Sequence, residues 1–208
     1  MPYFPDHPFA SAGDFANAYF SEIQNAHQSV DRMAISAACA MVSDTVGSDA
    51  SIFSCGNGGS AAISNHLLCD CLKGVQAGTA IRPRVHTLSS AVELITAIVN
   101  DVGPDEMFSL PLQSLGRSGD LLIAISSSGE SRNIVRALEV AKSVGMRTIA
   151  MTGFEGGAAA QLADVSLYVK ASNYGVVEDV HQSLMHILAQ HLRQTNLSDL
   201  SDLGRVKF

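Results

Sequence analysis

Two sets of polar side chains recur at intervals of four along this chain. His66 and Asp70 form one; Glu178, Gln182 and His186 form the other. Four residues is a little more than one helical turn, so each set shares a face wherever its segment is helical. Two imidazoles and two carboxylates meeting between helices suit a Zn²⁺ ion held by His66, Asp70, Glu178 and His186. The same groups suit proton transfer as acid and base. Each residue taken singly fits an ordinary structural or surface role as well. His181 stands five residues before His186, points elsewhere, and is expected in the core or at an interface. His7, His27, His86 and His191 belong to no constellation. Cys69 and Cys71 flank Asp70, but positions two apart on a helix diverge and cannot chelate one ion with it.

Two loops add a second chemistry. Cys55-Gly56-Asn57-Gly58-Gly59-Ser60 lies between an apolar run and a helix-like segment. Glycines there let the backbone approach a ligand, and a helix start offers free N–H groups to an anion. No GK[ST] follows, so this is not a P-loop; a plain tight turn fits equally well. Ser126-Ser127-Ser128-Gly129-Glu130-Ser131 also ends an apolar run and opens a helix. One serine suffices as a helix cap, and here four hydroxyls converge, which makes a phosphate cradle without a lysine.

The elements that must carry these residues follow from periodicity. Residues 13 to about 46 read as one long helix, with Phe15, Tyr19, Ile23, Ala26, Val30, Met33, Ala37 and Met41 at steps of three and four. Short apolar runs at 51–55, 84–88, 121–126, 147–151 and 166–170 read as strands, and 60–72, 91–99, 131–144 and 177–194 as helices. Alternation of this kind predicts an α/β fold: a single doubly wound domain with about five parallel strands flanked by helices and a long N-terminal helix. The domain is expected over 13–195, after an extension at 1–12 and before a polar, loosely held tail at 196–208. Ligands of such sheets bind at the carboxyl ends of strands, where both loops fall.

Composition narrows the class. The chain has 208 residues, the size of one domain, and 47% hydrophobic residues are enough to cover both faces of a sheet. A net charge of −7 argues against nucleic acid or an acidic membrane as partner. No apolar stretch reaches the roughly 18 residues that span a bilayer, and MPYFPDHPFA has no basic region like a signal peptide. The four cysteines match no zinc-finger spacing; Cys55 and Cys69 fall in segments that read as buried, and reduced thiols in a cytoplasmic protein are expected.

The motifs resemble those of the SIS (sugar isomerase) domain family, and in particular bacterial phosphoheptose isomerases. GNGGSAA at 56–62 with His66, Asn100-Asp101 after SSAVELITAIV, GRSGDLLIAISSSGES at 116–131, MTGFEGG at 151–157 and VVEDVHQSLMHIL at 176–188 carry the resemblance in order and spacing, over roughly 15–194. It implies an SIS domain and isomerisation of sedoheptulose 7-phosphate to a heptose 7-phosphate for surface polysaccharides. Ser126, Ser127, Ser128 and Ser131 would then hold phosphate. Asn57, Gly58, Gly59, Asn100, Asp101 and Glu178 would bind the sugar, His66, Asp70, Glu178 and His186 would hold one Zn²⁺ per subunit, and Asp70 and His186 would exchange protons. It also implies a homotetramer with sites shared between subunits.

The chain departs from that pattern in four places. Asp70 replaces a glutamate, Glu178 a glutamine, Glu130 a frequent asparagine, and Lys73-Gly74 stands where the enzymes carry an arginine. A carboxylate at 130 would repel phosphate unless it points away. Two other readings remain at this level: a non-catalytic SIS relative that binds phosphosugar or the replication initiator, and an isomerase or epimerase of another phosphorylated sugar. Retention of His66, Asp70 and His186 favours an enzyme.

Overall fold

In a computed structural model, which describes residues 3–208, five parallel strands form one sheet in the order β2-β1-β3-β4-β5. They are β1 Ser51–Gly56, β2 Arg84–Thr87, β3 Leu121–Ser126, β4 Arg147–Thr152 and β5 Val165–Tyr168. The helices are α1 Ala12–Ser29, α2 Arg32–Gly47, α3 Gly59–Cys69, α4 Val92–Asp101, α5 Ser109–Leu115, α6 Arg132–Val144, α7 Gly157–Leu162 and α8 Tyr174–Thr195. The expected parallel α/β architecture is present. Two short helices, α5 and α7, had no readable signal, because neither is long enough to display a period.

Alternation along the strands divides the core in two. Ile52, Ile123, Ile125, Ile149 and Met151 face α1, α2, α3 and α8. Phe53, Leu122, Ala124 and Ala150 face α5, α6 and α7. Strands β1 and β3 are buried along their whole length. That is why they read as continuous apolar runs rather than alternating ones.

The single N-terminal helix expected from residue 13 is two helices. Val30 is extended at φ −73°, ψ 129°, and Asp31 caps α2 by accepting the Met33 N–H. Asp is a strong N-cap, so the chain restarts a helix there while Val30 remains buried in the core. The Tyr19 hydroxyl donates to Asp179 at 2.8 Å and fastens α1 to α8. The tail, expected loose, is tied back: the Arg193 guanidinium donates to Ala77 and Val206 carbonyls, and Phe208 packs on the core beside Gly74.

The chain path turns in opposite directions from β1, toward β2 on one side and β3 on the other. Crevices open at such a switch point, outside the carboxyl ends of the strands. The glycine loop follows β1 and the serine loop follows β3, so both reach the same crevice.

Candidate active site

A cavity of about 120 Å³ lies in that crevice, lined by Asn57, Ser60, Ile125, Ser126, Ser127, Ser128, Ser131, Tyr174 and Glu178. Three helices begin beside it: α3 with Gly58 as its N-cap, α6 with Ser131, and α8 with Tyr174 as its first residue. Their free N–H groups and aligned dipoles favour an anion. Among the described residues no lysine or arginine lines the cavity, so hydroxyls, helix starts and the Asn57 carboxamide are its electropositive groups.

The serine loop is held rigidly. The Gly129 N–H bonds to Ser126, the Gly153 N–H to the Ser127 carbonyl at 2.8 Å, and the Ala159 N–H to the Gly129 carbonyl at 2.9 Å. Gly129 has φ +69°, and a Cβ there would run into the Gly156 carbonyl. The 151–157 motif is thus the clamp of the serine loop. Glu130 points away from the cavity and accepts the Ala158 N–H at 3.1 Å, which removes the expected repulsion. Asn57 exchanges two hydrogen bonds with Asn133, at 3.0 and 2.9 Å; Asn133 carried no signal in the sequence. Glu178 lies so close to Gly59 that a Cβ there would overlap its carboxylate. Burial, and then the charge of Asp179, hold the Glu178 carboxyl above its ordinary pKa.

Farther along α8 a second cluster closes into a ring. His66 Nε2 faces Asp70 Oδ1 at 3.3 Å, and His186 Nδ1 is 2.8 Å from Asp70 Oδ2. The Gln182 carboxamide nitrogen is 3.0 Å from both His66 Nδ1 and His186 Nε2. One tautomer choice satisfies the three hydrogen bonds: His186 presents its Nδ1–H to Asp70 and both imidazoles accept from Gln182, while His66 Nε2 stands beside Asp70 outside hydrogen-bond geometry. The imidazoles meet edge to face at 4.9 Å. Asp70 is buried, at the point where α3 gives way to a π-helical turn over Asp70–Gly74.

His66, Asp70 and His186 could hold a metal ion: one ligand atom from each lies within 4.8 Å of the others. Two imidazoles and a carboxylate are a donor set that suits Zn²⁺. Glu178 does not stand in this group; it faces the serine cavity about two turns before His186. Gln182, on the same stripe but outside the expected ligand set, occupies the place between the histidines. Its position four residues before His186 was the signal that could have found it.

Other expected residues fall elsewhere. Asn100 and Asp101 end α4, exposed, bonded to each other at 2.6 Å and away from the cavity lining. His181 is in the core with no exposure. All four cysteines are free; Cys69, expected buried, is exposed because it ends α3 on the solvent side. Burial pushes the Cys55 thiol up to about 12, and burial with the Asp70 charge does the same for Cys71, so neither is a ready nucleophile. A larger hollow of about 420 Å³ lies on the outer side of α6. Its charges pair among themselves, Arg132 with Asp105 at 3.2 Å and Arg136 with Glu106 at 3.0 Å, and it holds neither the serines nor the histidines.

Fold and site define a doubly wound α/β protein with a serine-lined cavity at its switch point and a histidine–carboxylate cluster farther along α8. Comparison with known proteins gives the family. The SIS domain model matches residues 17–153. A phosphoheptose isomerase of Vibrio vulnificus is 36% identical over 186 residues, covering 86% of this chain and 90% of that protein. One of Akkermansia muciniphila is 37% identical over 149 residues, covering 71% and 77%. The solved phosphoheptose isomerase of Neisseria gonorrhoeae superposes with a TM-score of 0.80 at 30% identity, covering 88% of this chain and 98% of that one. The chain belongs to the SIS domain family, on its phosphoheptose isomerase branch.

Proposed function

We propose that this protein is an aldose–ketose isomerase that converts sedoheptulose 7-phosphate to D-glycero-D-manno-heptose 7-phosphate for surface polysaccharide synthesis. The observation that carries the reading is the placement of an anion cradle and a histidine–carboxylate ring about two turns apart along α8. Glu178 belongs to the first and His186 to the second, eight residues or about 12 Å apart along the axis. A sugar with phosphate on its last carbon and a reacting carbonyl at the other end has this shape. The relatives reported above, which bear the name phosphoheptose isomerase, align over most of the chain.

Ser126, Ser127, Ser128 and Ser131 take the phosphate, with the start of α6 behind them. Asn57, Gly58, Gly59 and Glu178 line the path of the sugar hydroxyls. Asp70 removes a proton from C1 of the ketose, leaving an enediol across C1 and C2. The proton returns to C2, and His186 moves the hydroxyl proton from O1 to O2. C1 is oxidised to an aldehyde as C2 is reduced to an alcohol, so no external oxidant is required. A Zn²⁺ ion on His66, Asp70 and His186, with Gln182 of α8 between the histidines, would supply Lewis-acid polarisation of the carbonyl.

The same reading includes a homotetramer. α4 is apolar yet buries only Ile98, leaving Val92, Leu94, Val99 and Val102 exposed. A surface of this kind favours a second copy of the chain. Asn100 and Asp101 then serve a neighbouring subunit's site rather than their own. Among the described residues no helix is long and apolar enough to cross a membrane, and cytoplasmic residence goes with the proposed pathway. The deciding assay is turnover of sedoheptulose 7-phosphate with added Zn²⁺ and with chelator. No turnover of this or other phosphorylated ketoses would overturn the isomerase reading. Full activity in a strong chelator would overturn the metal, and a stable monomer at micromolar concentration by light scattering would overturn the tetramer.

A further inference from the structure

The cradle has one wall that the serines and helix starts do not explain. Tyr174, the first residue of α8, lines the cavity and is 60% exposed. Its ring packs on Phe154 with centroids 4.7 Å apart. Phe154 is held in an unusual place. Its φ is +47°, a left-handed backbone that a bulky side chain rarely adopts. The Phe154 N–H donates to the Ala171 carbonyl at 2.8 Å, and the Tyr168 hydroxyl donates to the Phe154 carbonyl at 2.6 Å. Two bonds thus fix a strained residue whose ring props Tyr174, and strain of this sort gathers at functional sites.

The hydroxyls near this wall are not equivalent. Those of Tyr19 and Tyr168 are engaged with Asp179 and Phe154. Among the described residues the Tyr174 hydroxyl has no hydrogen-bond partner, and neither has the buried Ser127 hydroxyl of the same cavity. Among the described residues no cationic side chain lines the cavity, and Glu178 does. An anion there depends on every neutral donor available, and a phenol is a stronger donor than an aliphatic hydroxyl.

We propose that Tyr174 determines how this site recognises its ligand: its phenol donates a hydrogen bond to the phosphate monoester, and Phe154 is the positioning residue that holds the ring. The inference rests on the assignment of the serine cavity as the phosphate end. It assigns Tyr174 to binding and not to the proton transfers, which take place at His186, roughly three turns farther along α8.

The test is Tyr174→Phe, which keeps the ring and its packing and removes only the hydroxyl, beside Phe154→Leu. Binding of inorganic phosphate is measured by titration calorimetry, and KM and kcat are measured with sedoheptulose 7-phosphate. Loss of one hydrogen bond to a charged group should weaken phosphate binding about tenfold or more in Tyr174→Phe. KM should rise in parallel and kcat should change less than KM. Phe154→Leu should raise KM by a smaller factor, with kcat again less affected. Unchanged phosphate affinity in Tyr174→Phe, absence of phosphate binding by the wild type, or a fall in kcat at constant KM would overturn the inference. Weakened phosphate binding in a protein that turns over no sugar would uphold it while the isomerase reading fails. Normal turnover with wild-type KM in Tyr174→Phe would do the reverse. Thermal midpoints matching the wild type would confirm that both variants are folded.

Discussion

Acidification from pH 8 to pH 5 is expected to weaken the fold through His181, and His181→Leu is expected to abolish that part of the loss. The ring is fully buried on α8, and neither nitrogen meets a partner at hydrogen-bond geometry. The Thr152 backbone lies near enough to favour the charged form somewhat, but burial outweighs it and lowers the pKa from 6.5 to about 4. In the unfolded chain the same ring protonates near 6.5. Between the two values the unfolded state holds a proton that the folded state lacks, so falling pH favours unfolding. The contribution is whole above pH 6.5 and is lost progressively toward pH 4. Linkage makes the loss ~2 kcal/mol by pH 5 and ~3 kcal/mol by pH 4. Leucine has nearly the same volume and leaves no buried nitrogen unpaired, so at pH 8 the variant should lie within ~1.5 kcal/mol of the wild type. Urea titrations at pH 8, 6 and 5, at one protein concentration, measure both proteins. Carboxylates and the other histidines titrate alike in the two and cancel in the difference. If the two stabilities fall in parallel with pH, His181 is not the group described here, and its environment in solution is wetter or better bonded.

Three further outcomes follow from the geometry. Asp70→Asn keeps the shape of the ring but removes its charge; turnover should drop by roughly 10²–10⁴-fold and bound zinc, measured by elemental analysis, should fall with it. Full activity in that variant would remove Asp70 from the chemistry. Gly129→Ala places a Cβ against the Gly156 carbonyl at φ +69°, where backbone and not a flexible side chain must yield. A loss of ~2 kcal/mol or more and weakened phosphate binding are expected, and wild-type values for both would refute the clamp. Asp120→Ala removes a buried carboxylate that accepts the Ser51 N–H at 2.7 Å and the Arg117 N–H at 2.8 Å, tying β1 to the start of β3. Urea denaturation should show a cost of ~2–4 kcal/mol, and a change under 1 kcal/mol would mean that water replaces it freely.

Much of this protein is written in local pattern. Continuous apolar runs such as 121–126 specify buried parallel strands, because a strand covered on both faces has no polar side to show. The spacing of His66 and Asp70 specifies their common face, and the four serines specify the cradle. These are properties of short segments, and period and residue type suffice to reveal them. The break at Val30–Asp31 was hidden because the apolar period runs straight through it, and only the N-cap bond of Asp31 distinguishes two helices from one. Whatever depends on distance between segments was decided by tertiary structure alone. The switch point brings the β1 and β3 loops together only after the sheet order is set. Gln182 rather than Glu178 stands between the histidines because α3 crosses α8 at that turn. Glu130 is harmless to an anion because α7 begins where its carboxylate can bond the Ala158 N–H. Tyr174 faces the cradle because Phe154, twenty residues earlier, is locked at a positive φ beneath it. A residue's type and local period determine what it can do, but which groups it meets is set by chain crossings that no local pattern encodes.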